Sequence, residues 1–567
     1  MEPLPNLHVR LVQQAIQAAQ TAGDLPNFAL PMIEVRPPKH AEQGDYATPV
    51  AMQLAKVARR SPFDIASTIV QYTPDADLIA SVEAAKPGYI NFRLNEDWLR
   101  QQIETIIAED DNLFQLDIGA GKRAQVEFVS ANPTGPLTVG RSRGGILGDV
   151  TARVLEAVGY DVEREYYFNN AGQQMINLGN SLKVRYLEAL GRPVTIPGKE
   201  DTWFYQGAYL KDFARQLISE RGAELIEADW QPFKEYAEQK MFEMIKNTLE
   251  RVGIRHDVFF NENSLYEDES VWKILEALEA AGHIYEASVR ENANEEEKEK
   301  GKNLPPAKWL RSSKLGDEED RVVVKNDGSP TYTLPDIAYH VNKLDRGFDL
   351  LVNLLGTDHL VEHQVVKYGI EALGMDSSRI HVILMQFVNI MGGRMSTRRG
   401  EYVTLDEVID RTSPDVVRYM LLARSPNSKL DFDLDLAVKQ SNENPVYYIQ
   451  NAHVRCAGIF REAEARGVTD DGADLSLLGT DELHFIRKAL ELGEQIEMAA
   501  TNLEPHRIAF YAHDLASTFH PIYDTVRALH GDVSPEVARA RLRFYRAAQV
   551  VFKRVLNLMG MSAPERM

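Results

Sequence analysis

Between Ala124 and Phe168 the chain changes pattern in a way that few folds accept. A short apolar run, Ala124 to Val129, reads as a strand and runs into the loop Asn132-Pro133-Thr134-Gly135-Pro136. A helical stretch follows and ends near Gly159, and a second strand reads from Asp161 to Phe168. Strand, loop, helix, strand is the βαβ unit of a parallel nucleotide-binding sheet, and open parallel sheets bind ligands at the carboxyl ends of their strands. The helix carries Gly140, Gly144, Gly145 and Gly148. Each interior glycine costs a helix roughly 0.5–1 kcal/mol relative to alanine, so several together imply close approach by a flat ring or by neighbouring backbone. The helix start offers unpaired amides and partial positive charge, to which Arg141 and Arg143 add full charges. Tight packing on the sheet is enough to explain the glycines alone. Loop, arginines and position together favour a bound phosphate.

The α/β pattern resumes with apolar strands at Leu350 to Leu355 and His381 to Val388. Between the two α/β parts, about 178–325 reads as a helical, acidic insertion whose charge run, Glu295 to Lys302, is a solvated face. The first stretch mixes helix and strand. It has an amphipathic helix (Leu7, Leu11, Ile16, Ala19), then Gly44-Asp45-Tyr46-Ala47-Thr48, and closes with Gly88-Tyr89-Ile90-Asn91-Phe92. From about Asp431 the period is almost wholly helical. A chain of 567 residues needs several cores. The expected fold class is α/β: a Rossmann-like parallel-sheet catalytic domain with an α+β N-terminal domain and an all-α C-terminal bundle. The expected boundaries are 1–115, 116–375, 376–430 (the end of the catalytic domain) and 431–567.

Charge and cysteine content narrow the function classes. A formal net charge of −21 argues against indiscriminate nucleic-acid binding, while leaving room for a selective RNA partner met by local basic patches. The arginines 539, 541, 543 and 546, with Lys553 and Arg554, read as one such patch. Cys456 stands alone, so no intrachain disulfide forms, and it reads as a buried thiol in a reducing compartment. With no secretory signal pattern and no apolar run of spanning length, the expected location is the cytoplasm, away from any membrane.

Gly392-Gly393-Arg394-Met395-Ser396-Thr397-Arg398-Arg399-Gly400 combines paired glycines, arginines and hydroxyls after a strand. Its arginines suit a leaving pyrophosphate, although an exposed basic turn looks the same in isolation.

Ser130 to Asp149, continued through Glu165-Tyr166-Tyr167-Phe168-Asn169-Asn170-Ala171-Gly172, resembles the signature region of the arginyl-tRNA synthetases. Thr138-Val139-Gly140-Arg141 takes the place of the class I His-x-Gly-His motif, keeping Gly140 and replacing both histidines. A threonine hydroxyl and an arginine fork can still donate to phosphate oxygens. Arg394-Met395-Ser396-Thr397-Arg398 resembles the class I KMSKS loop. The resemblance implies catalytic roles for Thr138, Gly140, Arg141, Arg394, Ser396 and Arg398. It implies ATP contacts from Pro133, Gly135, Thr138, Gly140, Arg141, Arg143, Gly144 and Met395. It adds Asp358 and His359 from Gly356-Thr357-Asp358-His359, which otherwise read as a polar turn.

A guanidinium demands planar anionic partners. Through the family motifs Asn261-Glu262-Asn263 and Tyr332-Thr333-Leu334-Pro335-Asp336, the resemblance places Glu262 and Asp336 on the guanidinium and packs Tyr332 beside it. Glu127, Ser130 and Asn132 complete the arginine site, with Asn132 on the α-amino or carboxyl group. Read alone, Asp336 simply complements a helix start and Glu262 is a surface carboxylate. A site of this kind rejects uncharged rivals by roughly 10⁴–10⁵, so no editing domain is required.

In the C-terminal stretch the resemblance assigns tRNA contacts to Asn444, Tyr447, Tyr448, His453 and Met567, where aromatic rings stack unpaired bases. Tyrosines packed in a bundle core are the competing reading. The N-terminal stretch resembles the family's additional domain, which contacts the tRNA elbow. The implied activity is arginine–tRNA ligation: ATP with Mg²⁺ and L-arginine give arginyl-adenylate, and tRNA(Arg) takes the arginyl group. No tightly held metal is implied, the enzyme acts as a monomer, and adenylate formation requires tRNA. Three alternatives come from other classes: a non-catalytic paralogue that only binds tRNA, a nucleotidylyltransferase on the same sheet, and a scaffold.

Overall fold

Five parallel strands carry the larger of two units, formed by residues 119–156 and 160–438. They are β1 (Arg123–Glu127), β2 (Asp161–Phe168), β3 (Val258–Asn261), β4 (Leu350–Gly356) and β5 (Ile380–Met385). The computed structural model describes residues 1–567 except 199, 292, 302–303, 387 and 392–402, and omits the side chains of 41, 298 and 300. The sheet order is β3-β2-β1-β4-β5, with every pairing parallel. The order reverses between β1 and β4, which is the topological switch point where doubly wound sheets open a crevice. Helices on both faces explain why β4 is nearly continuous apolar sequence. Its single polar interior residue, Asn353, is buried.

Strand β1 stops at Glu127, two residues earlier than its apolar pattern suggests. Val129 and Ser130 have φ of 68° and 42°, left-handed values that a β-branched valine rarely adopts, and the backbone there leaves the sheet sharply. Helix α1 (Val139–Ala157) then packs back on the sheet, and α2 (Thr333–Asp345) leads into β4.

Two expectations are corrected. The stretch from 178 to 325 is not only helical: it supplies β3 and an antiparallel sheet of Ile284–Ala287, Ala307–Leu310 and Arg321–Val324. Each is only four residues long, so tertiary pairing and not local pattern defines it. The expected strand from His381 to Val388 is instead β5 followed by β6 (Val388–Met391), which pairs in parallel with β7 (Leu430–Asp433).

The second unit joins Met1–Ile118 and Lys439–Met567, with 157–159. Helix Leu4–Ala22 buries Leu11, Val12, Ile16 and Ala19 and ends on Gly23 at φ 85°. Strands Tyr46–Thr48, Ile79–Ala85 and Tyr89–Leu94 form a small antiparallel sheet. Helix Glu96–Glu109 packs along Pro535–Leu558, so both ends of the chain share one unit and the C-terminal helices do not stand apart. Cys456 is buried there, and desolvation pushes its thiol pKa up. No helix among the described residues is long and apolar enough to cross a membrane.

Candidate active site

At the carboxyl ends of β1 and β4 lies a cavity of about 800 Å³, lined among others by Asn132, Thr138, Gly140, Arg141, Asp358 and His359. Its floor is the bent segment after β1. Ser130 Oγ donates to Glu127 at 2.9 Å and accepts from the Tyr167 amide at 3.1 Å, which holds the positive-φ turn in place. Asn132 accepts from the Asn169 amide at 3.0 Å and donates to Gln174 at 3.2 Å. Beyond it, Thr138 bridges Thr404, and the Val139 amide donates to Val403 at 3.2 Å. Residues Val388 and Ile390 of β6 also line the cavity. The segments on either side of 392–402 therefore both border it. Arg394, Met395, Ser396 and Arg398 themselves lie outside the described residues.

The glycines divide into two kinds. A Cβ on Gly148 would sit 2.3 Å from the Phe128 ring, one on Gly145 would press on Val129 and Ile254, and one on Gly144 would meet Met385 at 2.9 Å. These three exist for helix–sheet packing. Gly140 faces open space within the cavity, so its bare backbone alone is available to a ligand.

A smaller recess of about 80 Å³ shares Leu355 and His359 with the main cavity and is lined by Glu127, Asp336 and Glu362. Burial, reinforced by Glu262, Glu127 and Glu362 and opposed by Lys343, raises the Asp336 carboxyl to about 8. Glu262 is buried and accepts from Tyr167 Oη at 2.8 Å. Lys343, fully buried, donates to Glu127 at 2.6 Å and to Asn353 at 2.8 Å. His340 Nδ1 lies 2.8 Å from the Asp336 carbonyl and Nε2 lies 2.8 Å from Asn353 Nδ2. Desolvation and the nearby Lys343 hold His340 far below its usual pKa, so the ring is neutral, with Nδ1 donating and Nε2 accepting. The recess is thus an anionic pocket backed by the hydrogen-bonded group of Glu127, Lys343, Asn353 and His340.

Sequence reasoning missed Lys343, Asn353, His340 and Tyr167. Lys343 lies seven residues after Asp336, two helical turns along the same face of α2, and Asn353 interrupts an apolar strand. Those were the available signals.

Several expected residues do not converge on the cavity. Arg143 is 1% exposed and donates to the carbonyls of Gln386, Arg424, Ser425 and Ser428 at 3.0, 3.4, 2.9 and 2.9 Å. Burial lowers its pKa to about 10, both terminal nitrogens are engaged by these carbonyls, and Arg143 does not line the cavity. Pro133 is buried, Gly135 lies beside Tyr209, and neither lines the cavity. Tyr332 is 81% exposed at the N-cap of α2, so the packing expected of it is absent; Tyr167 and Tyr339 line the recess instead.

In the second unit Asn444 is buried and caps helix Pro445–Arg466, accepting from Val446 at 3.0 Å and donating to Lys439 at 2.9 Å. His453 is buried with Nδ1 2.8 Å from the Pro564 carbonyl, fixing the C-terminal segment. Both side chains are engaged within the fold. The Tyr448 ring packs 4.3 Å from His520, Tyr447 is half-buried, and Met567 is exposed. The expected basic patch is paired within the fold: Arg546 and Arg543 bind Asp470, Arg541 binds Glu482, and Lys553 binds Asp111.

A switch-point cavity, a bare glycine at a helix start and an acidic recess define a class I aminoacyl-tRNA synthetase core, and residues 102–421 match the family model "tRNA synthetases class I (R), catalytic domain". Residues 9–94 match "Arginyl tRNA synthetase N terminal domain", and 449–567 match "DALR anticodon binding domain". An arginine–tRNA ligase of Carboxydothermus hydrogenoformans is 41% identical, covering 97% of each chain. That of Heliobacterium modesticaldum is 40% identical over 98% of each. The solved Thermus thermophilus arginyl-tRNA synthetase superposes with a TM-score of 0.75 over all of both chains at 21% identity, which speaks to the fold alone. The chain belongs to the arginyl-tRNA synthetase family. It is an aminoacyl-tRNA ligase, and the comparisons give a non-catalytic paralogue no support.

Proposed function

We propose that this arginine–tRNA ligase seats the guanidinium of L-arginine in the acidic recess and ATP along the start of α1. The observation that carries the reading is the acidic recess beside the switch-point cavity, lined by Glu127, Asp336 and Glu362, where burial, with Glu262 nearby, raises the Asp336 carboxyl. A guanidinium is the ligand such a cluster stabilises best, because its planar fork pairs with two carboxylates at once. Asp336 and Glu262 receive it, while Glu127 is held by Lys343 and braces Ser130. Asn132 lies toward the α-amino and carboxyl end. ATP, carried in with Mg²⁺ as part of the substrate, lies against Gly140, Thr138 and Arg141 with Asp358 and His359 opposite.

One arginine carboxylate oxygen then attacks the α-phosphorus, and pyrophosphate leaves. Thr138, Arg141 and the arginines of 394–398 offset the charge on the phosphate oxygens. The terminal ribose hydroxyl of tRNA(Arg) next attacks the adenylate carbonyl and AMP departs. No covalent enzyme intermediate forms, so catalysis rests on positioning and charge stabilisation. Tyr447, Tyr448 and Met567 remain the candidates for anticodon contact. The reading includes a monomer working in the cytoplasm.

The test is aminoacylation of bulk tRNA with each amino acid in turn, alongside pyrophosphate exchange with and without tRNA. Arginine alone should be charged, and exchange should need tRNA. Charging of another amino acid in preference, or none with any, overturns the assignment.

A further inference from the structure

The sequence pointed to Arg143 as a phosphate ligand, and its geometry gives it another task. Burying a guanidinium without a counter-charge is costly, and no carboxylate pairs with Arg143 among the described residues. Among the described residues, its two terminal nitrogens are met by carbonyl dipoles. Those four carbonyls belong to two segments far apart in sequence. Gln386 immediately precedes the stretch leading into β6, and Arg424, Ser425 and Ser428 form the turn before β7. β6 and β7 pair in register from Val388↔Leu430 to Met391↔Asp433, and the Gln386 amide donates to Pro426 at 3.0 Å. Arg143 itself sits in the first turns of α1, two residues after Arg141 and three after Gly140, both of which line the cavity. Val388 and Ile390 line the same cavity from the other side.

We infer that Arg143 is a positioning residue for adenylate formation, setting the distance between the phosphate-facing start of α1 and the β6–β7 pair that borders the cavity. The inference rests on the proposed placement of ATP at that helix start. A lysine cannot replace it fully: one ammonium has three donors on a flexible stem, while the guanidinium has five in a fixed plane and here spans four acceptors. The far-side contacts, Val139 to Val403 and Leu405 to Leu137 at 2.8 Å, hold the other end of the same border. Arg143 is the side chain that closes the frame. The arginine recess shares no residue with it.

The experiment compares wild type, Arg143→Lys and Arg143→Gln in tRNA-dependent pyrophosphate exchange, with rates divided by active sites titrated with a non-hydrolysable arginyl-adenylate analogue. A displacement of about 1 Å at a reacting group costs on the order of 10² in rate. Arg143→Gln should therefore lose about 10²-fold in kcat per active site, with the KM for arginine within about twofold of wild type. Arg143→Lys should fall between the two. Normalising to titrated sites removes any loss caused by misfolding. Wild-type kcat per titrated site in Arg143→Gln overturns the inference, as does a fall in kcat matched by an equal rise in the KM for arginine. If wild type itself shows no arginine-dependent exchange, the underlying reading fails instead.

Discussion

The cavity at the switch point and the C-terminal helices are both rich in charge, yet they use it in opposite ways. Around the recess, burial first and then three neighbouring carboxylates raise Asp336 to about 8, against one lysine that lowers it. Along helix Pro535–Leu558 the charges are matched within the fold. Asp470 accepts from Arg546 at 2.7 Å and Arg543 at 3.2 Å, and its carboxyl is held down at about 2. The difference separates function from stability by electrostatic balance and not by composition. Charge left frustrated beside a cavity awaits a ligand, whereas satisfied charge holds helices together.

The sharpest way to break this contrast is to remove the frustrated group. Asp336→Ala should lower kcat/KM for arginine by on the order of 10²–10³, because truncating one partner of a desolvated charge pair strands the other. The KM for ATP should stay within about twofold, and equal changes in both would place Asp336 outside the amino-acid pocket.

Next in size, Arg141→Ala should reduce kcat for pyrophosphate exchange by on the order of 10² while leaving the KM for arginine nearly unchanged. A change confined to the arginine KM would move Arg141 away from the phosphates.

A smaller effect follows from pH. Asp336 binds a proton up to about 8 in the free protein, and a guanidinium favours the carboxylate, so arginine binding releases that proton. Arginine should bind more tightly as pH rises toward 8, by up to about tenfold per unit, and then level off. Calorimetry in buffers of different ionisation enthalpy reads the released proton, and Asp336→Asn should abolish it. A pH-independent affinity in wild type contradicts the crowded-carboxylate account.

The smallest effect concerns the helical unit. Asp470→Asn should cost about 1–2 kcal/mol of stability near neutral pH, read as a lower Tm, with tRNA charging changed less than about twofold. Because the folded-state carboxyl is depressed, its contribution is complete above the unfolded value and disappears as pH falls toward about 2. A shift in the KM for tRNA larger than the stability loss would return Arg543 and Arg546 to RNA docking.

Much of the frame could be read directly from the chain. Strand β2 occupies the residues its pattern marked, 161–168, and β4 extends the expected run by one residue, because apolar periodicity records burial. The βαβ unit predicted the cavity because a parallel strand and its helix must open at the carboxyl end. What could not be read depended on partners distant in sequence. Glu127 and Lys343 are 216 residues apart, and nothing local distinguishes that lysine from a surface one. Arg143 and Arg141 look alike in sequence, yet two residues of helical rotation turn one toward four carbonyls and the other toward the cavity. Gly144, Gly145 and Gly148 fitted either packing or a ligand by spacing, and the side chains pressed against them belong to the protein itself.

Citrulline is shaped like arginine with a neutral urea in place of the guanidinium, so it isolates the charge that the recess reads. The decisive measurement is kcat/KM for tRNA charging with arginine and with citrulline, in wild type and in Asp336→Asn. Wild type should prefer arginine by on the order of 10⁴ or more, and the preference should collapse by at least about 10² in the variant. Comparable charging of both by wild type, or an arginine preference undiminished in Asp336→Asn, would contradict a recess that reads charge.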